Sequence, residues 1–146
     1  MQASDGMTRN VVVVAPELTL DAAWQAMQLR RIRHLPVVVG GRLVGILSDR
    51  DVLVRARLEP GGALAVPRMP VGEAMTSTPI TCEATTSVRD LVRIMVDEKI
   101  DALPVLTVSG RLVGLVTSTD LLGLLVDGEA SRALPFEFRV EEHVAA

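Results

Sequence analysis

Apolar positions along the chain recur in two rhythms. Short unbroken apolar runs, VVVV at 11–14 and LPVVV at 35–39 with its counterpart from Leu103, have the length of buried strands. PITC at 79–82 is a further strand candidate. Between them the apolar residues fall at helical spacing. Leu20, Ala23, Trp24 and Met27 share one face of a helix opened by Thr19; Val88, Leu91, Val92 and Met95 share one face of a helix opened by Ser87. Ser87 with Asp90 three residues on is a capping-box pattern. After each LPV strand come a Gly-bearing turn and a second strand, RLVGILS or RLVGLVT, which predict a hairpin. DRDVLVRARL and STDLLGLLV then predict a second helix. Each half reads β-α-β-β-α.

The two halves are copies. At a shift of 68, Met7-Thr8 falls on Met75-Thr76, Met27 on Met95, Ile32 on Ile100 and Leu35-Pro36-Val37 on Leu103-Pro104-Val105. One extra residue in TVSG moves the shift to 69. From there Gly41–Leu53 matches Gly110–Leu122 at 7 of 13 positions, so identity concentrates in one loop. Two copies are too few for a solenoid. A unit of about 50 residues hardly closes its own core; two packed sheet to sheet with pseudo-twofold symmetry would. The expected fold is therefore mixed α/β (α+β), with repeats at 7–57 and 71–126. The Pro/Gly-rich residues 58–70 read as linker, with VGEAM at 71–75 a short helical lead-in. In the tail, 127–146, Phe136 and Phe138 alternate like a strand.

Composition narrows the function. Apolar residues make up 49% of the 146, but aromatics only 2% and Tyr is absent, so the core is aliphatic. Net charge is −3 without a basic stripe, which argues against nucleic acid as a partner. Cys82 is the only cysteine, which excludes an intrachain disulfide and a multi-Cys metal site. No apolar run approaches the roughly 20 residues that span a bilayer, and MQASDGMTRN lacks the features of a signal peptide. A soluble, cytoplasmic protein is expected. His34 has no partner spaced for a metal, and no nucleophile elbow or Walker loop occurs, so no catalytic or metal residue is assigned.

The duplicated loop is GILSDRD at 45–51 and GLVTSTD at 114–120. Ser48 with Asp51, and Thr117 with Asp120, lie three apart at a helix start. One reading is a capping box. The other is a ligand site: free helix-start N–H groups favour phosphate, a carboxylate accepts both hydroxyls of a ribose, Gly45 and Gly114 admit a flat ligand close to the strand, and aliphatic neighbours such as Ile46 form a slot for a base.

These two loops, preceded by HLPVVV and ALPVLT, resemble a tandem CBS-domain pair (a Bateman module) across roughly residues 7–126. The resemblance implies binding of an adenosine compound (AMP, ADP or ATP; alternatively S-adenosylmethionine or NAD) in clefts between the repeats. Carried over, one cleft would use Ser48 and Asp51 with Thr78 and Ile80 across from them; the other would use Thr117 and Asp120 with Asn10 and Val12. Basic residues before Leu-Pro face phosphates in such pairs. Here the first repeat has Arg33-His34, helped by Arg50, whereas the second has Asp101-Ala102. A di- or triphosphate is therefore expected at the Asp51 cleft and disfavoured at the Asp120 cleft. The alternative role for RRIRH is a solvated basic helix end that complements the helix dipole. The apolar LLGLL of the last helix, with Ile94 and Val96 off the main face of theirs, points to a homodimer, and the family's habit to an effector protein that reads ligand occupancy.

Overall fold

The computed structural model describes residues 1–127 in full and 140–143 as backbone. In chain order the elements are α1 (Ala3–Gly6), β1 (Val11–Val14), α2 (Leu20–Arg30), β2 (His34–Val39), β3 (Arg42–Ser48), α3 (Asp49–Leu53), β4 (Arg57–Leu58), β5 (Leu64–Ala65), α4 (Val71–Ala74), β6 (Thr76–Ser77), α5 (Val88–Glu98), β7 (Ala102–Leu106), β8 (Leu112–Thr117), α6 (Ser118–Val126) and β9 (Val140–His143). The fold is mixed α/β, with two compact units.

Each unit is assembled from one repeat body plus the lead-in that precedes the other. Val12–Pro79 form one unit, joined by residues 141–143; Met1–Val11 and residues 80–127, with Val140, form the other. The lead-ins repeat at the same shift, since α1 and α4 both stand just before a Met-Thr pair. Both are needed for their cores. Val71 and Ala74 are buried with Leu20, Ala23, Met27, Leu35, Val37, Leu47 and Val52. Ala3 and Met7 are buried with Cys82, Leu91, Met95, Leu103, Val105, Val116 and Leu121. No charged or polar residue is buried among the described residues, so both cores rest on aliphatic burial alone.

In the first unit the sheet order is β6-β3-β2-β1-β9. β1 pairs parallel with β2 at Val14↔Val37, and β2 pairs antiparallel with β3 over His34↔Ser48 to Val39↔Arg42. Gly40 and Gly41, at φ 59 and 78, close that hairpin, because a two-residue turn matching the strand twist needs both in the left-handed region. In the second unit β7 and β8 form the same hairpin, with the same register slip one place after Val105 that β2 shows after Val37. The extra residue of the second copy is absorbed in its turn, where Gly110 at φ 85 donates its N–H to the Thr107 carbonyl.

Some sequence expectations are revised. PITC forms no strand: Cys82 alone bridges Val105 in parallel, held by Cys82 N–H to the Pro104 carbonyl and Leu106 N–H to the Cys82 carbonyl. Pro79 offers no N–H and Thr78 is left-handed, so the ladder cannot extend upstream. The helix expected over DRDVLVRARL stops at Leu53, because only Val52 reaches the core and Leu53, Val54 and Arg55 are exposed. Residues 57–65, read as the end of that helix and linker, form the β4–β5 hairpin with Gly62 at φ 85. Val92, placed on the buried face of α5, is 44% exposed; Leu91 and Met95 carry that face. Phe136 and Phe138 lie outside the described residues, while β9 just beyond them adds an edge strand beside β1. No described helix is long and apolar enough to cross a membrane.

Candidate functional site

Both quoted loops run off the end of a strand into a helix, and both close as capping boxes. The Ser48 amide donates to Asp51 Oδ2 at 2.8 Å and the Asp51 amide to Ser48 Oγ at 3.1 Å. The Thr117 amide donates to Asp120 Oδ2 at 2.8 Å and the Asp120 amide to Thr117 Oγ1 at 3.2 Å. The capping and ligand readings are not exclusive. In each case Oδ2 accepts from the cap amide, and the Thr117 side chain also hydrogen-bonds the Asp120 carboxylate.

The helix-start amides offer less than the sequence suggests. The Asp49 amide donates to the Arg33 carbonyl at 2.9 Å and the Arg50 amide to Asp49 Oδ1 at 2.9 Å. With the Asp51 amide bound to Ser48, the first turn of α3 is satisfied internally. Any phosphate here must be met by side-chain charge rather than by free N–H groups. The Ser118 amide is likewise held by the Asp101 carbonyl at 2.9 Å.

Those same bonds place the residues before Leu-Pro directly beside the loops. His34 is the register partner of Ser48 and Ala102 that of Thr117. The Arg33 and Asp101 backbones dock on the first helical residue. Position for position, one loop thus has Arg33-His34 alongside and exposed Arg50 within it; the other has Asp101-Ala102 and Thr119. Arg55 was not singled out from sequence, yet its Nη1 donates to the Asp51 carbonyl at 2.9 Å. Its i+4 spacing from Asp51 was the available signal.

The glycines are explained by protein, not by ligand. A Cβ on Gly45 would collide with Met75 Sδ and come within 2.9 Å of the Thr76 carbonyl oxygen. One on Gly114 would lie 2.7 Å from Met7 Sδ and 3.1 Å from the Thr8 carbonyl oxygen. The lead-in strand crosses at this point, through Gly45↔Ser77 and Ile46↔Thr76 in one unit and Thr8↔Leu115 in the other. Repetition of Met-Thr and of Gly in the two copies therefore records one contact made twice.

Thr78 was expected across a cleft from Ser48 and Asp51; it belongs to their own unit, as Asn10 belongs to that of Thr117 and Asp120. β6 ends at Ser77, so Thr78 lies just beyond the residues paired with β3. Thr78 also sits at φ 48, a left-handed conformation that is strained for a β-branched residue and concentrates at functional positions. Ile46 is half-buried on β3, between its partners Pro36 and Thr76. Ile80 and Val12 each fall in the other unit from the loop they were assigned to, Ile80 exposed and Val12 half-buried.

Burial pushes the Asp120 carboxyl above its ordinary 3.8, outweighing the Thr117 hydrogen bonds that pull it down. Burial likewise pushes the Cys82 thiol up to about 11, which leaves it largely protonated and unreactive at neutral pH.

Comparison with known proteins agrees with this duplicated architecture. The CBS domain family profile matches twice, over residues 4–57 and 71–127. An inosine-5'-monophosphate dehydrogenase of Korarchaeum cryptofilum is 38% identical over 120 residues, which span 82% of this chain but only 23% of that enzyme. A CBS domain-containing protein of Dictyostelium discoideum is 33% identical over 132 residues, covering 82% of this chain and 88% of the relative. Among solved structures, CBSX2 in complex with AMP superposes with a TM-score of 0.78 at 25% identity, covering 88% of this chain and 98% of that one. A CBS domain pair in complex with 5'-methylthioadenosine and S-adenosyl-L-methionine gives 0.74 at 25% identity, with the same coverage. The cytosolic domain of the Mg2+ channel MgtE in complex with ATP gives 0.69 at 31%, covering 84% and 48%. The protein belongs to the CBS domain family and carries two of its domains in tandem.

Proposed function

We propose that this protein is a regulatory sensor that binds an adenosine nucleotide (AMP, ADP or ATP) at the loop holding Ser48 and Asp51, and that it works as a cytoplasmic homodimer read by an effector protein. The observation that carries the reading is the setting of Asp51. Its Oδ2 accepts from the helix cap, Arg50 lies within the loop, Arg33 and His34 run beside it, and Arg55 donates to the Asp51 carbonyl. A carboxylate flanked by guanidinium groups suits a ribose that carries a phosphate. Relatives of the same fold bind AMP, ATP and S-adenosylmethionine, which supports an adenosyl ligand without choosing among them.

A nucleotide of AMP size has about 23 heavy atoms, and a binding efficiency of about 0.3 kcal/mol per atom gives a Kd of roughly 10 μM. Loss of the Asp51 carboxylate costs about 1.5–3 kcal/mol, the range of a charged hydrogen bond. Calorimetric titration of AMP, ADP and ATP into the wild type and Asp51→Ala tests this, with Asp51→Asn retaining an acceptor for the cap. Unchanged affinity in both variants would refute the assignment.

A second reading, an assembly module without a ligand, is favoured by the apolar side chains that α5 and α6 expose. It predicts a dimer whose melting temperature is unmoved by AMP, ATP, NAD or S-adenosylmethionine.

A further inference from the structure

The two halves diverge after the duplicated loop. Helix α6 continues to Val126 and packs Leu124 against its core, whereas the matching position after α3 holds Arg55, which turns back to the Asp51 carbonyl. The chain then makes the β4–β5 hairpin, in which Leu58 lies directly opposite Leu64. Its turn is preformed. The Glu59 amide donates to the Ala63 carbonyl at 2.8 Å and the Gly62 amide to the Glu59 carbonyl at 2.9 Å. Pro60 fixes the first turn residue and Gly62, at φ 85, supplies the left-handed one.

The hairpin is ordered by its turn but uncovered. Leu58 is 75% exposed and Leu64 39%, and directly opposed residues share a face, so the two form one apolar spot. Val54, four residues before Leu58, is 70% exposed. Arg57, the neighbour of Leu58 on β4, turns to the opposite face and is exposed too. Because Glu59 bonds inward to Ala63, the alternation of an antiparallel ladder points the Leu58 N–H and carbonyl outward along the β4 edge. Among the described residues no further strand pairs with β4 or β5. So short a ribbon is marginal by itself, and an apolar strand edge is a template for another strand. Between Val52 and Met69 the chain carries Arg55, Arg57 and Arg68 against Glu59 alone, which favours an acidic occupant over a basic one.

We propose that the β4 edge is where the effector docks. An extended segment of the effector, alternating apolar and acidic residues, adds as a third strand, with its apolar side chains on the Leu58–Leu64 face and its carboxylates on the Arg57 face. The period-two alternation of β4 calls for the same alternation in the strand beside it, and the guanidinium sets the sign of the charge. This rests on the effector-read sensor proposed above and adds the surface and the chemistry of the segment it takes.

The test titrates the full nitrogen-15-labelled chain with a capped hexapeptide alternating glutamate and valine, followed by backbone amide resonances. The amides of Arg57, Leu58, Leu64 and Ala65 are expected to shift and those of Ser48 and Asp51 to stay. A lysine–valine peptide and a glutamate–serine peptide are each expected to bind roughly tenfold more weakly. A glutamate–valine peptide N-methylated along one edge is expected to leave the resonances unmoved when that edge faces β4, because the ladder cannot form. Arg57→Glu is expected to exchange the preference from the glutamate–valine to the lysine–valine peptide, a reversal that no folding defect produces. Leu58→Ser is expected to weaken the glutamate–valine peptide about tenfold. Both variants should keep the wild-type AMP affinity in calorimetry; a wild type that binds the peptide but no nucleotide would refute the sensor while the docking edge stands. No shift at millimolar peptide overturns the proposal. Hairpin resonances that move with protein concentration alone, or with phosphatidylserine vesicles and not with peptide, overturn it in favour of a second copy or a membrane surface.

Discussion

The loops at 45–51 and 114–120 share a backbone and differ in surroundings. Their cap residues hold nearly the same dihedrals, φ −104 and ψ 161 at Ser48 against φ −111 and ψ 163 at Thr117. Their reciprocal hydrogen bonds agree to within 0.1 Å, and in both a glycine admits the lead-in strand. What changes lies beside the motif: Arg33-His34 against Asp101-Ala102, and Arg50 against Thr119. The repeated residues thus answer to helix capping and strand crossing, which both halves need. The unrepeated neighbours are where ligand choice can differ between them.

The glycines test the shared part and carry the largest effect. Gly45→Ala is expected to cost about 2–3 kcal/mol, since the new methyl meets the Thr76 carbonyl of the ladder itself and the backbone must move. Gly114→Ala should cost about 1–2 kcal/mol, its nearest backbone atom being 3.1 Å away. Urea midpoints that reverse this order would show that the crossing is not what fixes these positions.

The neighbours come next. Exchanging the charges, Arg33→Asp with Asp101→Arg, is expected to weaken ATP binding at the Asp51 loop by about 1–2 kcal/mol and to change adenosine binding far less, because only the phosphates sense the charge. Equal losses for ATP and adenosine, measured calorimetrically, would locate the phosphates elsewhere. Below that stand the caps. Ser48→Ala and Thr117→Ala should each lower stability by about 1 kcal/mol, alike in both halves. A clear difference would mean one hydroxyl has a task beyond capping.

The smallest effect is the pH dependence contributed by Asp120. Burial raises the Asp120 carboxyl above 3.8 in the folded chain, so the folded state holds a proton that the unfolded state has released. The stabilisation this brings is complete below the ordinary value and is lost as pH rises through the raised folded one. Asp120→Asn, which keeps an acceptor for the cap, is expected to flatten that decline in urea midpoints as pH rises from the ordinary carboxyl value. A slope unchanged by the substitution would show that Asp120 is not desolvated.

Much of the fold was legible because it repeats. The shifts of 68 and 69 residues located both hairpins, both long helices and the Ser48 and Thr117 caps from local patterns, and Leu20, Ala23 and Met27 fell on the buried face that their spacing predicts. The failures have physical causes. PITC looked like VVVV by composition, but a left-handed Thr78 and a proline without an N–H leave it a single bridge. The residues after Leu53 kept a helical pattern, yet none beyond Val52 had a core to enter, and strand pairing took 57–58 instead. Arg55 carried no motif and was found only through its bond to the Asp51 carbonyl.

The sequence by itself determined the duplication, the aliphatic cores, the capping boxes of Ser48 and Thr117 and the charge contrast between the loops, since each of these depends on residues close together along the chain; at Ser87 only the half in which the hydroxyl accepts from the Asp90 amide forms. Only the tertiary structure decided that Val71 and Ala74 complete the core of the first repeat, and Ala3 and Met7 that of the second. It alone showed that the two glycines yield to a crossing strand and that the first helical amides are already bound. Those outcomes hang on contacts between segments dozens of residues apart, where burial and hydrogen-bond competition choose among partners that local pattern leaves equal.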